Sequence, residues 1–276
     1  MTNIQKQGQV SPVNQMKNLL ANQGMQNLFA DALKENKDRF LASIIDLYNG
    51  DSYLQGCNPK EVAMEALKAA TLNLPINKSL GYAYIVPYKN KGILTPQFQI
   101  GYKGYIQMAQ RSGQYKALNA GIMFEGMEIK RDFLRGTFEI IGEPKSDKVI
   151  GYFAYFQLLN GYEKAVYMTK DEVTEHAKRY SQAYGSDYSP WKKQFDEMAQ
   201  KTVIKRLLSK YGVLTTEFQD AVKEEEDREV LRATENNAML EMTASDEEEE
   251  TIEVNPETGE VIEEDVKAPF WWKSVN

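Results

Sequence analysis

The sequence predicts an α+β protein, in which a central antiparallel β-sheet and a β-hairpin are packed by several helices. Apolar residues recur with helical spacing over residues 13–48 and again beyond residue 169. Between these regions, residues 81–168 contain short runs rich in Val, Ile, Tyr and Phe, separated by turns that contain Gly or Pro. The sheet is therefore expected after a helical N-terminal segment and before a disordered, acidic C-terminal tail.

The first helices are expected over residues 13–48, where Gly24 divides the apolar pattern into two or three helices. Their apolar faces can pack within the protein or form a contact between protomers. The next helix is expected to begin at Asn58 and Pro59, because Asn caps a helix well and Pro suits the first turn. It is expected to end near Asn73.

A hairpin is expected next, with strands over residues 81–88 and 93–100 and a turn that carries Lys89 and Lys91. A short helix is then expected over residues 105–111, because a glycine that can end it follows two residues later. Further strands are expected over residues 115–124, 127–134, 137–142, 148–159 and 163–168.

The region after the strands is predicted to be helical. Thr169 and Glu172 have the spacing of a capping box, which begins a helix that ends near Ser181. A single long helix is expected over residues 189–211, and a further helix over residues 216–242.

Charge divides the chain into a basic body and an acidic tail. Residues 221–276 hold 18 acidic and 5 basic residues, whereas residues 1–220 hold 22 acidic and 28 basic residues. The net charge of −7 therefore conceals a body with a net charge of +6. A basic body favours a polyanionic partner, although the overall pI near 5.1 suggests the opposite.

Residues 66–124, which we call the acid-free segment, contain seven basic residues and six tyrosines but no Asp or Glu. Lys and Arg neutralise phosphates, and Tyr rings stack on bases, so this composition is typical of a surface that binds single-stranded nucleic acid. A tyrosine-rich β core with a few solvated lysines would have the same composition. Composition alone leaves both interpretations open.

The sequence shows no signal for membrane insertion and few Cys or His residues that could bind a metal. No apolar run reaches membrane-spanning length, and residues 1–15 lack the apolar core of a signal peptide. The only cysteine, Cys57, cannot form an intramolecular disulfide and fits a reducing cytoplasm. Together with the only histidine, His176, it cannot complete a usual zinc site. We therefore expect a cytoplasmic protein with no membrane association, no metal and no cofactor.

A metal-dependent nuclease is the enzymatic alternative, because Glu128, Ile129 and Lys130 form an E-x-K motif. Such a site also needs an upstream aspartate, and none occurs between Asp51 and Asp132. A phosphate-binding P-loop motif is also missing. We therefore expect a protein that holds nucleic acid without cutting it, and not an enzyme.

Three stretches resemble the RecT family of phage recombinases. The central one reads QFQIGYKGYIQMAQRSG over residues 97–113, and it is preceded by LNLP at residues 72–75 and AYIVPYKN at residues 83–90. The third reads MAQKTVIKRLL over residues 198–208. The resemblance extends over about residues 15–220.

The resemblance implies an ATP-independent single-strand annealing protein of phage homologous recombination, located in the host cell cytoplasm. Proteins of this family bind single-stranded DNA and the annealed duplex, and they assemble into rings or helical filaments. They act beside a 5′→3′ exonuclease, and a single-strand-binding protein is a second partner to be expected. A module that only coats single strands would fit the acid-free segment equally well.

The predicted DNA-binding groove lies between the hairpin, the helix after it and the late helix. Lys103, Gln107 and Arg111 recur every four residues and so share one helix face, although a solvated face would show the same pattern. A solvated face is also the alternative for Lys178 and Arg179. More distant similarity to the lambda Red beta protein suggests the turn lysine and the late-helix bases as backbone contacts. The predicted DNA-binding residues are Lys89, Lys91, Gln99, Tyr102, Lys103, Gln107, Arg111, Lys178, Arg179, Lys201, Lys205, Arg206 and Lys210.

The C-terminal tail has two possible roles. Its aromatic tip, Phe270, Trp271 and Trp272, would dock on the exonuclease or on the single-strand-binding protein. Its acidic residues 246–265 would instead compete with DNA for the groove, and truncation after Met242 separates these roles through its effect on DNA affinity. The expected organisation is a flexible N-terminus over residues 1–12, a DNA-binding and oligomerisation core over 13–220, a helical extension over 221–242 and an acidic, mostly disordered tail over 243–276.

Overall fold

The structure is a computed structural model, in which the side chains of residues 90 and 235–247 are not described. No helix among the described residues is both long enough and apolar enough to cross a bilayer. The described residues are 11–90, 92–181, 183–187 and 189–247.

The chain forms two compact units, Met1–Arg232 and Ala233–Asn276. Among the described residues, the first unit contains all of the strands and most of the helices, and its architecture is α+β with antiparallel sheets, as predicted. In the second unit, the described residues continue a helix to Glu247.

Helices form the N-terminal part of the first unit, as the apolar spacing predicts. The first break falls at Asn22 rather than Gly24, because the Asn22 side chain accepts a hydrogen bond from the backbone N–H of Gly24 and caps the second helix. The predicted cap at Asn58 is also present. The helices are α1 (Pro12–Ala21), α2 (Gln23–Leu33), α3 (Lys37–Asn49), α4 (Ser52–Gln55) and α5 (Pro59–Thr71).

Strands β1 (Ala83–Asn90) and β2 (Ile93–Ile100) form the predicted hairpin. The face that carries Ile85 and Phe98 is buried and packs on α5. Because successive strand side chains point to opposite faces, a second set of residues lies on the other side. This polar face of the hairpin carries Tyr84, Tyr88, Gln97 and Gln99.

Helix α6 (Tyr102–Arg111) begins three residues earlier than predicted. The carbonyl of Gly101 accepts the backbone N–H of Tyr105 at 3.1 Å and so begins the helix. The N–H of Gly101 donates to the carbonyl of Tyr82 at 2.8 Å, which holds the start of α6 against the chain that enters β1.

The remaining strands form two separate antiparallel sheets. Strands β3 (Tyr115–Phe124), β6 (Val149–Leu158) and β7 (Glu163–Thr169) pair in the order β3-β6-β7. The predicted strands over residues 127–134 and 137–142 lie outside this sheet. Strand β5 (Thr137–Ile141) pairs instead with β4 (Glu128–Asp132), to which a short turn joins it.

The late region is helical, with one correction. The capping box of Thr169 and Glu172 is present and begins α7 (Lys170–Tyr180). The single helix predicted over residues 189–211 is instead two helices, because Gln194 leaves the helical conformation with φ −143° and ψ 52°. These helices are α8 (Pro190–Lys193) and α9 (Phe195–Tyr211).

The last helix of the described chain is α10 (Thr216–Glu247), which extends beyond the predicted end. Its beginning is anchored by apolar contacts, since Phe218 and Val222 are buried in the core. The ring centroids of Phe218 and Tyr105 are 5.7 Å apart. The first two turns of helix α10 therefore pack against α6 in the core of the first unit.

Candidate nucleic-acid interface

A cavity of about 440 Å³ lies between the polar face of the hairpin, helices α7 to α9 and the first half of α10. Four cationic side chains and three large aromatic rings line this cavity. We call it the basic cavity because of the four cations. The cationic residues are Lys201, Lys205, Arg206 and Arg232, and the aromatic residues are Tyr88, Tyr180 and Trp191.

Helix α9 supplies the central cations of the basic cavity. Lys201 and Lys205 are four residues apart, so they project from the same face of the helix. The Nζ atom of Lys201 lies 3.2 Å from a carboxylate oxygen of Glu225, and that of Lys205 lies 2.7 Å from Glu229. Both lysines are therefore neutralised by helix α10 in this structure.

Glu225 is buried between these lysines and α6. Its second carboxylate oxygen accepts a hydrogen bond of 2.8 Å from the Tyr105 hydroxyl. Burial by itself would raise the pKa of Glu225, but Lys201, Lys205 and the hydrogen bond from Tyr105 outweigh it and lower the pKa. Glu225 is therefore a carboxylate at neutral pH, and burial next to this charge raises the pKa of Tyr105 well above its usual range.

The hairpin side of the basic cavity is aromatic and polar. The Gln99 amide donates a hydrogen bond of 2.6 Å to the Tyr88 hydroxyl. The guanidinium of Arg232 lies 4.5 Å from the centre of the Tyr88 ring and also donates to the side-chain oxygen of Gln97. Arg232 therefore covers the one hairpin tyrosine that lines the basic cavity.

His176 lines the basic cavity from α7. Its ring centroid lies 4.7 Å from that of Tyr180, and its Nδ1 atom is buried with no hydrogen-bond partner among the described residues. Burial lowers the pKa of His176, and the attraction of Glu229 only partly offsets this. At neutral pH its ring is therefore uncharged, and the lysines and arginines supply the positive charge of the cavity.

The three predicted residues of α6 are not equivalent. Lys103 is exposed, whereas the side-chain oxygen of Gln107 is buried without a partner among the described residues. The guanidinium of Arg111 donates to the carbonyl of Leu72 at 2.7 Å, just after the end of α5. Arg111 therefore ties α6 to α5, and none of the three lines the basic cavity.

The other predicted DNA-binding residues occupy varied positions around the first unit. Lys89 and Lys210 are exposed and, like Lys103 and Arg206, make no ion pair with any described residue. Tyr102 packs against the core, and burial raises its pKa. Lys178 pairs with Glu175 at 2.7 Å, and Arg179 lies 5.5 Å from the Tyr180 ring. Outside the described residues lie Lys91, Phe270, Trp271 and Trp272.

Sequence reasoning included Gln99, Lys201, Lys205 and Arg206 in one predicted set of DNA-binding residues, and all four line the basic cavity. It missed the acids of α10. One signal was present, because the interval of four residues between Glu225 and Glu229 matches that between Lys201 and Lys205. Helical acids and bases at the same interval can pair in register when their helices lie side by side. The sequence alone does not identify which helices lie side by side.

The E-x-K motif lies on strand β4. Lys130 lies 3.8 Å from Glu139 across the β4–β5 pair. Within the described ranges, no three His, Cys, Asp or Glu side chains form a group that could hold a metal ion.

Comparison with known proteins identifies the family. The chain is 47% identical to the uncharacterized protein YqaK of Bacillus subtilis (strain 168) over 230 residues, which cover 82% of this chain and 78% of YqaK. It is 33% identical to Protein RecT of Escherichia coli (strain K12) over 181 residues, which cover 63% of this chain and 65% of RecT. The model of the RecT family matches residues 38–253. The chain therefore belongs to the RecT family.

Proposed function

We propose that this protein anneals complementary single strands of DNA without ATP, as part of phage homologous recombination. Membership of the RecT family supports a role in recombination and annealing. The observation that carries the proposal is the basic cavity, where Lys201, Lys205 and Arg206 lie near the polar face of the hairpin. A protein binds single-stranded DNA through cations that contact its phosphates and aromatic rings that stack on its bases, and the basic cavity contains both.

In this proposal, the phosphates of one strand lie along α9, and a base stacks on Tyr88. Such an arrangement leaves base edges free to pair with a second strand. The protein needs no readout of sequence, because Watson–Crick pairing with the incoming strand supplies the specificity. The protein breaks no covalent bond in this process, so no catalytic residue is assigned.

Several predicted residues extend the proposed path beyond the basic cavity. Lys89 and Lys103 are exposed cations at the hairpin and at the start of α6, and Lys210 follows the α9 bases by one turn. Exposed cations without carboxylate partners are available to phosphates. We assign Arg111 a supporting role in this proposal, because its guanidinium already holds the carbonyls that follow α5.

Replacing Lys103 and Arg206 together with Ala is expected to weaken binding of a dT oligonucleotide. Loss of two phosphate contacts should reduce the slope of log affinity against log salt concentration by about 1.4 for a single strand. Fluorescence anisotropy over a series of salt concentrations measures both quantities.

The matched control replaces Lys60 and Lys145, two exposed lysines outside the basic cavity, with Ala. This control removes the same net charge and should leave the salt slope nearly unchanged. If affinity and salt slope fall equally in the two double variants, the protein attracts DNA through its overall charge and not at the proposed path.

We further propose that the protein works as a ring or filament of identical protomers, so that successive basic cavities follow one strand. A 5′→3′ exonuclease that produces the single strand and a single-strand-binding protein are the proposed partners. The rival function is a module that only coats single strands. The two functions differ in a mixing experiment, because an annealing protein accelerates the pairing of complementary strands and a coating protein slows it.

A further inference from the structure

The first half of α10 carries two acids in register with two lysines of α9. Glu225 and Glu229 are separated by one helical turn, and so are Lys201 and Lys205, so the helices meet through two successive ion pairs. A third acid of the same helix, Glu224, pairs with Lys68 of α5. Glu225 and Glu229 thus occupy Lys201 and Lys205, two of the cations that the proposed function assigns to phosphates.

The end of this segment is fastened to the hairpin. Arg232 covers the Tyr88 ring at 4.5 Å and donates a hydrogen bond to Gln97. An arginine stacked on a tyrosine occupies the ring face that a nucleotide base would use. The segment therefore blocks both kinds of contact, the phosphate contact at α9 and the base contact at the hairpin.

We propose that residues 216–232, which we call the strap, occupy the DNA-binding surface of the free protein, and that single-stranded DNA must displace the later part of the strap to bind. This inference rests on the proposed function and adds its regulation. Phosphates replace Glu225 and Glu229 on the two lysines, and a base replaces Arg232 on Tyr88.

The contacts of the strap suit partial release. Its first turns are anchored by the buried side chains of Phe218 and Val222, whereas its later contacts to the body are mainly ionic or polar. A buried ion pair adds little net stability over its separated and resolvated partners, so exchange of one anion for another is accessible. A phosphate that replaces a carboxylate leaves the lysine paired, and the apolar anchor keeps the strap attached beside the cavity.

The first test replaces Glu225 and Glu229 together with Gln in the full chain. Gln keeps the size of each side chain but removes the competing charge, so the affinity for a dT oligonucleotide should rise by about 5- to 150-fold, the usual range of coupling between two binding events. The matched control replaces Asp220 and Asp227, exposed acids of the same helix, with Asn. The control changes net charge equally and should alter affinity much less. Unchanged or weaker binding by the Gln variant, or an equal gain in the control, would overturn the inference.

The second test needs no variant and therefore does not depend on how well the Gln variant folds. Hydrogen exchange of the wild-type protein is compared with and without a saturating dT oligonucleotide. Amides of residues 223–232 should exchange faster in the complex, whereas those of residues 218–222 should keep their protection. Unchanged or greater protection of residues 223–232 would show that the strap stays in place. A wild-type protein that binds no oligonucleotide would instead contradict the proposed function itself.

Discussion

Replacing Gly104 with Ala is expected to lower the free energy of unfolding by about 3 kcal/mol, near the upper end of the usual cost of overpacking. A Cβ atom at Gly104 would lie 2.2 Å from the carbonyl oxygen of Tyr82 and 2.8 Å from Cγ2 of Ile100. Neither contact can be relieved by a flexible side chain, because one is backbone and the other belongs to a fully buried residue. Helix α6 would have to move away from the hairpin.

This expected loss of stability is the opposite of the change that helix propensity alone predicts for replacing Gly with Ala. In an exposed helix interior, replacing Gly with Ala stabilises by about 1 kcal/mol. Urea unfolding monitored by circular dichroism measures the change, and Gly185→Ala is the control, since no described atom lies within 4 Å of its added Cβ. A Gly104→Ala protein as stable as the wild type would show that α6 does not pack against residue 82 in solution.

Replacing Lys201 with Met is expected to lower the free energy of unfolding by about 3 kcal/mol, because removing one partner of a buried ion pair leaves the other charge buried and uncompensated. Glu225 is that charge, and its side chain is only 10% exposed. Met has a similar length to the alkyl part of Lys. The loss of stability therefore measures mainly the removal of the Lys201 charge and not a change in packing.

A double-mutant cycle separates the charge from the packing. Adding Glu225→Gln to Lys201→Met should restore a large part of the lost stability, because Gln is neutral and still accepts a hydrogen bond from Tyr105. Lys178→Met is the matched control, since its partner Glu175 is exposed, and its stability should hardly change. A loss of stability as small in Lys201→Met as in this control would mean that Glu225 is solvated and that the strap does not cover α9.

Local signals account for much of what the sequence predicted. Strands β2 and β3 have the predicted bounds. The signals that define a strand, which are alternating side chains and flanking turn residues, all occur within a few consecutive positions of the sequence. The capping box of Thr169 and Glu172 is equally local and is also present. The α+β class follows from such signals alone.

The features that the sequence did not predict depend on contacts between distant residues. Strand β3 pairs with β6, whose opposing residues Tyr115 and Leu158 are far apart in the chain, and nothing near either strand specifies the partner. The break at Gln194 likewise has no local glycine or proline to signal it. For the site, distant similarity suggested the bases of α9, but their neutralisation by α10 arises only when the two helices pack together.

The most direct test of the account is the rate at which the purified protein pairs two complementary oligonucleotides, followed by fluorescence quenching at low ionic strength without nucleotide. We expect pairing to be faster than in protein-free solution, and we expect added ATP to leave the rate unchanged. Pairing that is slower than in protein-free solution, or that accelerates only when ATP is present, would contradict the proposed annealing function.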